Sequence, residues 1–170
     1  SSYIHFEGLS IKNPDVEGFY ILNSENITVT NCSVRGHGQI GYGAGFVVSG
    51  QNTGDGIVFS KCSAYEGQGE NNSDGFELDS GGYATFDQCN AFYNADDGFD
   101  LWNGGPSILK DCYAWHNGHN EVGIQTGDGD GFKLGSDAHA DDGGHYLERC
   151  VAYKNAGSSG RGFDMNLADN

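Results

Sequence analysis

Two short stretches of this sequence carry a dense set of charged side chains. The first, NADDGFDLW, places Asp96, Asp97 and Asp100 within five positions. The second, GDGDGFKLG, repeats the DGF core but has Lys133 where Asp100 stands in the first. Closely spaced carboxylates repel one another unless a cation neutralises them, and a lysine accepts a proton only when its surroundings lower its pKa. The two stretches therefore indicate a cation site with an amine close to it.

The size and charge of the chain limit what it can do. It has 170 residues, enough for one domain with a buried core, so we expect residues 1–170 to form a single domain. Its formal net charge of -16 disfavours nucleic acid and anionic membranes as partners and favours metal cations. No apolar run approaches the roughly 20 residues of a membrane-spanning helix.

A Gly-Phe dipeptide followed by a short alternating run occurs six times along the chain. The phenylalanines are Phe19, Phe46, Phe76, Phe99, Phe132 and Phe163. Between them lie short runs of period two broken by Gly, Asn, Asp and Ser, a pattern typical of β-strands. A chain that coils once per repeat, with three strands in each coil, accounts for this pattern. We therefore predict an all-β parallel β-helix of about six coils.

A β-sandwich is the alternative architecture, but it does not explain why the same residue type recurs at one position of each repeat. In a β-helix such residues stack into ladders, and the phenylalanines should form one inward ladder. The cysteines should form another, and they are Cys32, Cys62, Cys89, Cys112 and Cys150. Because their number is odd and free cysteine behaves as a small hydrophobe, we predict buried thiols and no disulfide framework.

The same stacking predicts two columns outside the core. The residues that follow the phenylalanines should face outward, and they are Tyr20, Val47, Glu77, Asp100, Lys133 and Asp164. The residues before each Gly-Phe form the second column, and they are Glu17, Ala44, Asp74, Asp97, Asp130 and Arg161. Neighbouring coils lie about 4.8 Å apart, so Lys133 should lie between Asp100 and Asp164.

Four aspartates converge on the predicted cation site, namely Asp74, Asp96, Asp97 and Asp100. Calcium prefers oxygen ligands in loose geometry and suits irregular turns, so we predict that these carboxylates bind Ca²⁺. Two alternatives stay open at this point. Asp-Gly pairs are common in turns for conformational reasons alone, and a calcium ion can stabilise a coil without any catalytic role.

The two charged stretches, with the opening YIHFEGLSIKN and the closing RGFDMN, resemble the family 9 polysaccharide lyases. These are pectate lyases built on a right-handed parallel β-helix. The resemblance implies calcium-assisted β-elimination of polygalacturonate by an extracellular, secreted protein. It maps the calcium ligands onto Asp96, Asp97 and Asp100, and onto Asp74 one coil earlier. It maps the catalytic base onto Lys133.

The residues fit that chemistry. Removing the proton at C5 of a uronate builds negative charge on the adjacent carboxylate, which a cation stabilises. Lysine is protonated at neutral pH, so we predict an alkaline pH optimum for a lysine base. Arg161 and Lys154 are basic residues on later coils, and we predict that they bind substrate carboxylates, although ordinary surface charge is the alternative.

Other functions fit the same residues. One is a different lyase, or a hydrolase that uses paired carboxylates such as Asp97 and Asp100, acting on another acidic polysaccharide. Another is a non-enzymatic, calcium-stabilised β-helix that serves as an adhesin or a filament unit. Terminal caps are not evident in the sequence, and open ends can add strands to a second copy, so we expect end-to-end self-association in that case.

Overall fold

The computed structural model describes residues 3–50, 56–69, 72–119, 123, 126–135 and 144–165. The first half contains β1 (Ile4–Glu7), β2 (Ser10–Lys12), β3 (Phe19–Leu22), β4 (Ile27–Thr30), β5 (Ser33–Arg35), β6 (Phe46–Ser49), β7 (Val58–Ser60), β8 (Ser63–Tyr65) and β9 (Phe76–Asp79). The second half contains β10 (Thr85–Asp87), β11 (Asn90–Phe92), β12 (Phe99–Asp100), β13 (Ile108–Lys110), β14 (Tyr113–Trp115), β15 (Phe132–Lys133), β16 (Tyr146–Glu148), β17 (Val151–Tyr153) and β18 (Phe163–Asp164). Within these ranges no helix is long and apolar enough to cross a membrane.

The strands form three sheets of six strands each. Their orders are β1-β4-β7-β10-β13-β16, β2-β5-β8-β11-β14-β17 and β3-β6-β9-β12-β15-β18. Each coil gives one strand to each sheet, and all strand pairs of the described residues are parallel. This is the predicted parallel β-helix, and the β-sandwich, which needs antiparallel hairpins, is excluded.

The core is built from the predicted ladders. The phenylalanines of the third sheet stack ring on ring, and the centroids of Phe76 and Phe99 and of Phe99 and Phe132 lie 4.8 Å apart. Stacked rings combine apolar burial with favourable offset contacts. All five cysteines are free, and only Cys150 is not fully buried. The prediction of an inward thiol column without disulfides is therefore confirmed.

A sharp turn joins each strand of the second sheet to the third sheet, and this turn positions the charged residues. Tyr93 and His116 follow β11 and β14 with φ of 56°, in the left-handed region that reverses the chain direction. Asn94 and Asn117 come next, and Asn117 Oδ1 accepts hydrogen bonds from the backbone N–H and the side-chain Nδ2 of Asn94 at 3.1 and 3.0 Å. Because both amides are buried and paired, the turn that leads into the aspartates is fixed.

Candidate functional site

The column before the third sheet is a chain of linked carboxylates. Asp74, Asp97 and Asp130 lie on consecutive coils, as predicted. Asp74 Oδ1 accepts the backbone N–H of Asp97 at 2.8 Å, and Asp97 Oδ1 accepts that of Asp130 at 2.6 Å. Asp130 Oδ1 accepts the backbone N–H of Arg161 at 2.6 Å. One oxygen of each carboxylate is thus held by the next coil, and the second oxygen of Asp97 accepts Lys133 Nζ at 3.1 Å.

Three buried aspartates form a compact group. Asp74, Asp96 and Asp97 can each offer an oxygen within 4.8 Å of the oxygens of the other two. Asp96 enters from the turn, where its oxygens accept the backbone N–H groups of Asn72 at 2.9 Å and of Asp128 at 2.7 Å. Asp74 Oδ2 is buried and has no hydrogen-bond partner within the described ranges of the chain. An orphaned carboxylate oxygen among three acidic groups fits a hard cation such as Ca²⁺.

Asp100 is placed differently from the other three. Its Oδ2 lies 3.5 Å from Lys133 Nζ, and its Oδ1 accepts the backbone N–H of Trp102 at 2.9 Å. It therefore lies between the compact group and the lysine, and its role as a calcium ligand stays a prediction.

Lys133 is the basic centre of the site. It pairs with Asp100 on one neighbouring coil and with Asp164 on the other, as predicted. Its Nζ lies 3.1 Å from Asp97 Oδ2 and 3.9 Å from Asp128 Oδ2. Lys133 faces away from the core, yet only 8% of it is exposed. The amine is therefore held in a covered, acidic environment and not on an open strand face.

Burial and mutual repulsion determine the protonation of this cluster. Burial raises the pKa of Asp74 well above its usual range, and the charges of Asp96 and Asp100 raise it further. Burial likewise raises the pKa of Asp97, and Asp96 adds to that effect. Burial alone would lower the pKa of Lys133, but Asp100 and Asp97 outweigh it, so the pKa lies above its ordinary value. Without a cation, Lys133 is thus an ammonium group.

Three residues at the site were not among the predicted site residues, namely Asp128, His37 and Trp102. Asp128 reaches Lys133 from the GDGDG loop, and its only signal was its place two residues before Asp130. His37 is fully buried, and its Nε2–H donates to the backbone carbonyl of Asp74 at 2.7 Å. His37 lies five residues after Cys32, the position that Asn94 and Asn117 occupy after Cys89 and Cys112, so the repeat was a signal that could have found it. Trp102 had no assigned role, and its ring centroid lies 5.4 Å from Lys133 Nζ.

The two basic residues predicted to bind substrate are both exposed. Arg161 is on the coil after Lys133, and its Nη1 donates to Asp164 Oδ2 at 2.7 Å. Lys154 is in the turn after β17, with φ of 54°. No ion pair within the described part of the chain joins either residue to the three aspartates. Arg161 thus belongs to the same column as Asp130, and Lys154 lies in the turn that precedes it.

Comparisons with known proteins agree with this architecture. A family described as "Pel9A-like, right handed beta helix region" matches residues 1–170, which confirms the handedness of the coil. The solved structures similar to the chain include a crystal structure of pectate lyase Pel9A, with 27% identity and a TM-score of 0.79, over 95% of this chain and 40% of that one. A rhamnogalacturonan lyase is 22% identical, with a TM-score of 0.58, over 82% of this chain and 44% of that one. No curated protein has a significant match. The chain thus spans less than half the length of these two solved structures.

Proposed function

Because the chain belongs to the family of Pel9A-like right-handed β-helices, we propose that it cleaves polygalacturonate by calcium-dependent β-elimination. The observation that carries this proposal is the position of Lys133 Nζ, 3.1 Å from Asp97 Oδ2, beside three buried carboxylates that fit a calcium ion. An amine next to a carboxylate-bound cation has the chemistry needed to remove a proton from an acidic sugar. The likeness to a solved pectate lyase supports the choice of polymer.

The aspartates hold the cation in this proposal. Asp74, Asp96 and Asp97 would bind Ca²⁺, with Asp100 as a further ligand. When bound, Ca²⁺ supplies a Lewis acid that stabilises negative charge on the carboxylate of the sugar. A protein with a formal net charge of -16 can then bind an acidic polymer, because the cation reverses the sign of the local field.

Lys133 acts as the base. Its unprotonated Nζ takes the proton from C5 of the uronate, the C5–H electron pair forms the C4–C5 double bond, and the glycosidic oxygen leaves C4. The leaving oxygen takes a proton from solvent. Asp97 and Asp100 hold the proton on Lys133 only while their charge is not shared with a cation. Sharing that charge lowers the pKa of the lysine, so Lys133 becomes a usable base on the alkaline side of neutrality.

Arg161 completes the substrate side of the proposal. Its guanidinium lies on the coil next to Lys133 and can form paired hydrogen bonds with the carboxylate of a neighbouring sugar unit. Lys154, in the turn after β17, would contribute a further positive charge. The protein would meet polygalacturonate, a large polysaccharide, outside the cell, so we also propose an extracellular location.

One assay tests the proposal. Polygalacturonate is incubated with the protein in calcium, in EDTA, and in EDTA followed by excess calcium, and the ultraviolet absorbance of unsaturated uronate is followed. We expect product that needs calcium and returns when calcium is restored. New reducing ends without absorbance would indicate a hydrolase instead. A protein that gains stability from calcium but makes no product would be a structural β-helix.

A further inference from the structure

Trp102 is on the same outer face of the third sheet as the lysine. It lies in the turn after β12, where Asp100 faces outward and Leu101 is fully buried, and its ring reaches Lys133 Nζ. The backbone N–H of Trp102 donates to Asp100 Oδ1 at 2.9 Å. This bond fixes the start of the Trp102 side chain next to the acidic site.

The indole ring completes the surroundings of the lysine amine. Its centroid lies 5.4 Å from Lys133 Nζ, within the range of a cation–π contact. Carboxylate oxygens of Asp97, Asp100 and Asp128 lie 3.1, 3.5 and 3.9 Å from the same nitrogen. The amine is therefore positioned by carboxylates and by one aromatic ring.

The indole also carries an unused donor. Trp102 Nε1 is buried and has no hydrogen-bond partner among the residues that the structure describes. The indole N–H can only donate, and a buried donor without an acceptor is unfavourable and rare. A group of this kind beside the proposed base calls for an acceptor from a ligand, and an acidic sugar offers both carboxylate and hydroxyl oxygens.

We propose that Trp102 is a further substrate-binding and positioning residue. Its Nε1–H donates a hydrogen bond to an oxygen of the sugar unit that Lys133 deprotonates, and its ring holds the Lys133 side chain in place. This inference rests on the proposed function, and it adds a contact that recognises the sugar independently of the cation.

Two substitutions separate the roles of the ring and the donor. Trp102→Phe keeps an aromatic ring next to Lys133 but removes the N–H, so KM should rise about tenfold while kcat stays close to that of the wild type. Trp102→Leu removes both, so KM should rise and kcat should fall about tenfold as well. Trp115→Phe is the matched control, because Trp115 stacks between Phe92 and Tyr153 in the second sheet. It should change neither constant.

Binding is measured separately from turnover, by calorimetric titration of trigalacturonate with calcium into Lys133→Ala and into Lys133→Ala/Trp102→Phe. We expect the double variant to bind about tenfold more weakly.

Equal affinities, or an unchanged KM for Trp102→Phe in an active enzyme, would overturn the inference. If the wild type makes no unsaturated product but the tenfold difference in binding is found, the proposed function fails and the binding role of Trp102 stands. If no trigalacturonate binds to either protein, both are overturned. Circular dichroism checks that each variant is folded. If Trp102→Leu does not fold, the KM of Trp102→Phe alone tests the inference.

Discussion

Lys133 and Asp97 form an ion pair between adjacent coils, with Nζ and Oδ2 3.1 Å apart and side chains that are 9% and 0% exposed. A buried pair of this kind costs desolvation on both sides, and removing one partner leaves the other charge unpaired. The lysine therefore has two roles in this site. It is the proposed base, and it is also the nearest counter-ion of the carboxylates when no calcium is bound.

We expect Lys133→Gln to lower kcat on polygalacturonate by at least about 100-fold, which is the lower end of what a general base contributes. The same substitution should raise calcium affinity, because it removes a positive charge that competes for Asp97. Turnover and isothermal calcium titration of one protein sample measure both effects. Lys110→Gln is the control, since the Lys110 side chain is 44% exposed and its Nζ lies 3.8 Å from Glu148 Oε2.

The turnover and the calcium affinity of Lys133→Gln together decide the role of Lys133. Retained turnover in a folded, calcium-binding Lys133→Gln variant would exclude it as the base. Weaker calcium binding would show instead that Lys133 supports the metal site and does not compete with it.

Asp74 should be the aspartate on which calcium binding depends most, because its Oδ2 is buried and no described residue bonds to it. Asp74→Asn keeps an acceptor for the backbone N–H of Asp97 but loses the charge. We expect calcium affinity to fall at least about tenfold, since ligand charge tunes calcium affinity. The wild type should gain about 2.7 kcal/mol in the free energy of unfolding at a calcium concentration of 100 times Kd, and the variant should gain much less.

In EDTA the order of stability should reverse. The Asp74 carboxylate is destabilising there, because burial and the nearby charges raise its pKa. Asp74→Asn should then be more stable than the wild type by about 1 kcal/mol at neutral pH. Urea unfolding with and without calcium measures both effects, and Asp87→Asn on the first sheet is the control. A variant that is less stable than the wild type in EDTA would mean that the carboxylate is already compensated.

The repeat made most of this site predictable. In a parallel β-helix, one residue per coil falls in one column, so the spacing of the Gly-Phe pairs was enough to place Lys133 between Asp100 and Asp164. The same logic placed Asp74 next to Asp97 across 23 residues of sequence. Register in a solenoid is set by the inward ladder, and the phenylalanines fixed it without ambiguity.

The remainder depends on loops that leave the coil at different points. Lys133 was expected to face outward, and it is also covered, because residues such as Asp128 come from a loop whose path no repeat determines. His37 lies at the repeat position of Asn94 and Asn117, but the repeat does not predict its hydrogen bond to Asp74, 37 positions away. The alternation of side chains along a strand predicts which face each one occupies. It gives no information about the loops that fold over that face.

His37 should make stability depend on pH below neutrality. Burial lowers its pKa from 6.5 to about 4, although its hydrogen bond to Asp74 opposes the shift. Above pH 6.5 the imidazole is neutral in the folded and unfolded states. Between pH 6.5 and 4 only the unfolded state takes up the proton, so the free energy of unfolding should fall as pH falls, by about 3 kcal/mol in total.

The difference between the wild type and His37→Gln isolates this effect, because the aspartates titrate in both proteins and cancel. Urea unfolding at intervals from pH 7.5 to 4.5 should show the wild type losing stability relative to the variant across that window. His5→Gln serves as the control, since His5 is exposed. A difference that does not change with pH would show that His37 takes up its proton in the folded state as readily as in the unfolded one.

Phe99 should be the rung of the inward ladder that the fold can least lose. It is fully buried and stacks on Phe76 and Phe132 at 4.8 Å on both sides. Phe99→Ala should cost about 3–5 kcal/mol in the free energy of unfolding, because it removes apolar burial and leaves a cavity between two rings. Phe163→Ala is the matched control in the same ladder. Phe163 is 47% exposed, so its loss should cost roughly 1–2 kcal/mol.

Phe99 also directly precedes Asp100, so Phe99→Ala should weaken calcium binding as the coil relaxes, whereas Phe163→Ala should leave it unchanged. Equal losses of stability in the two variants would mean that the ladder acts as one unit and that the burial of a single rung does not determine its contribution.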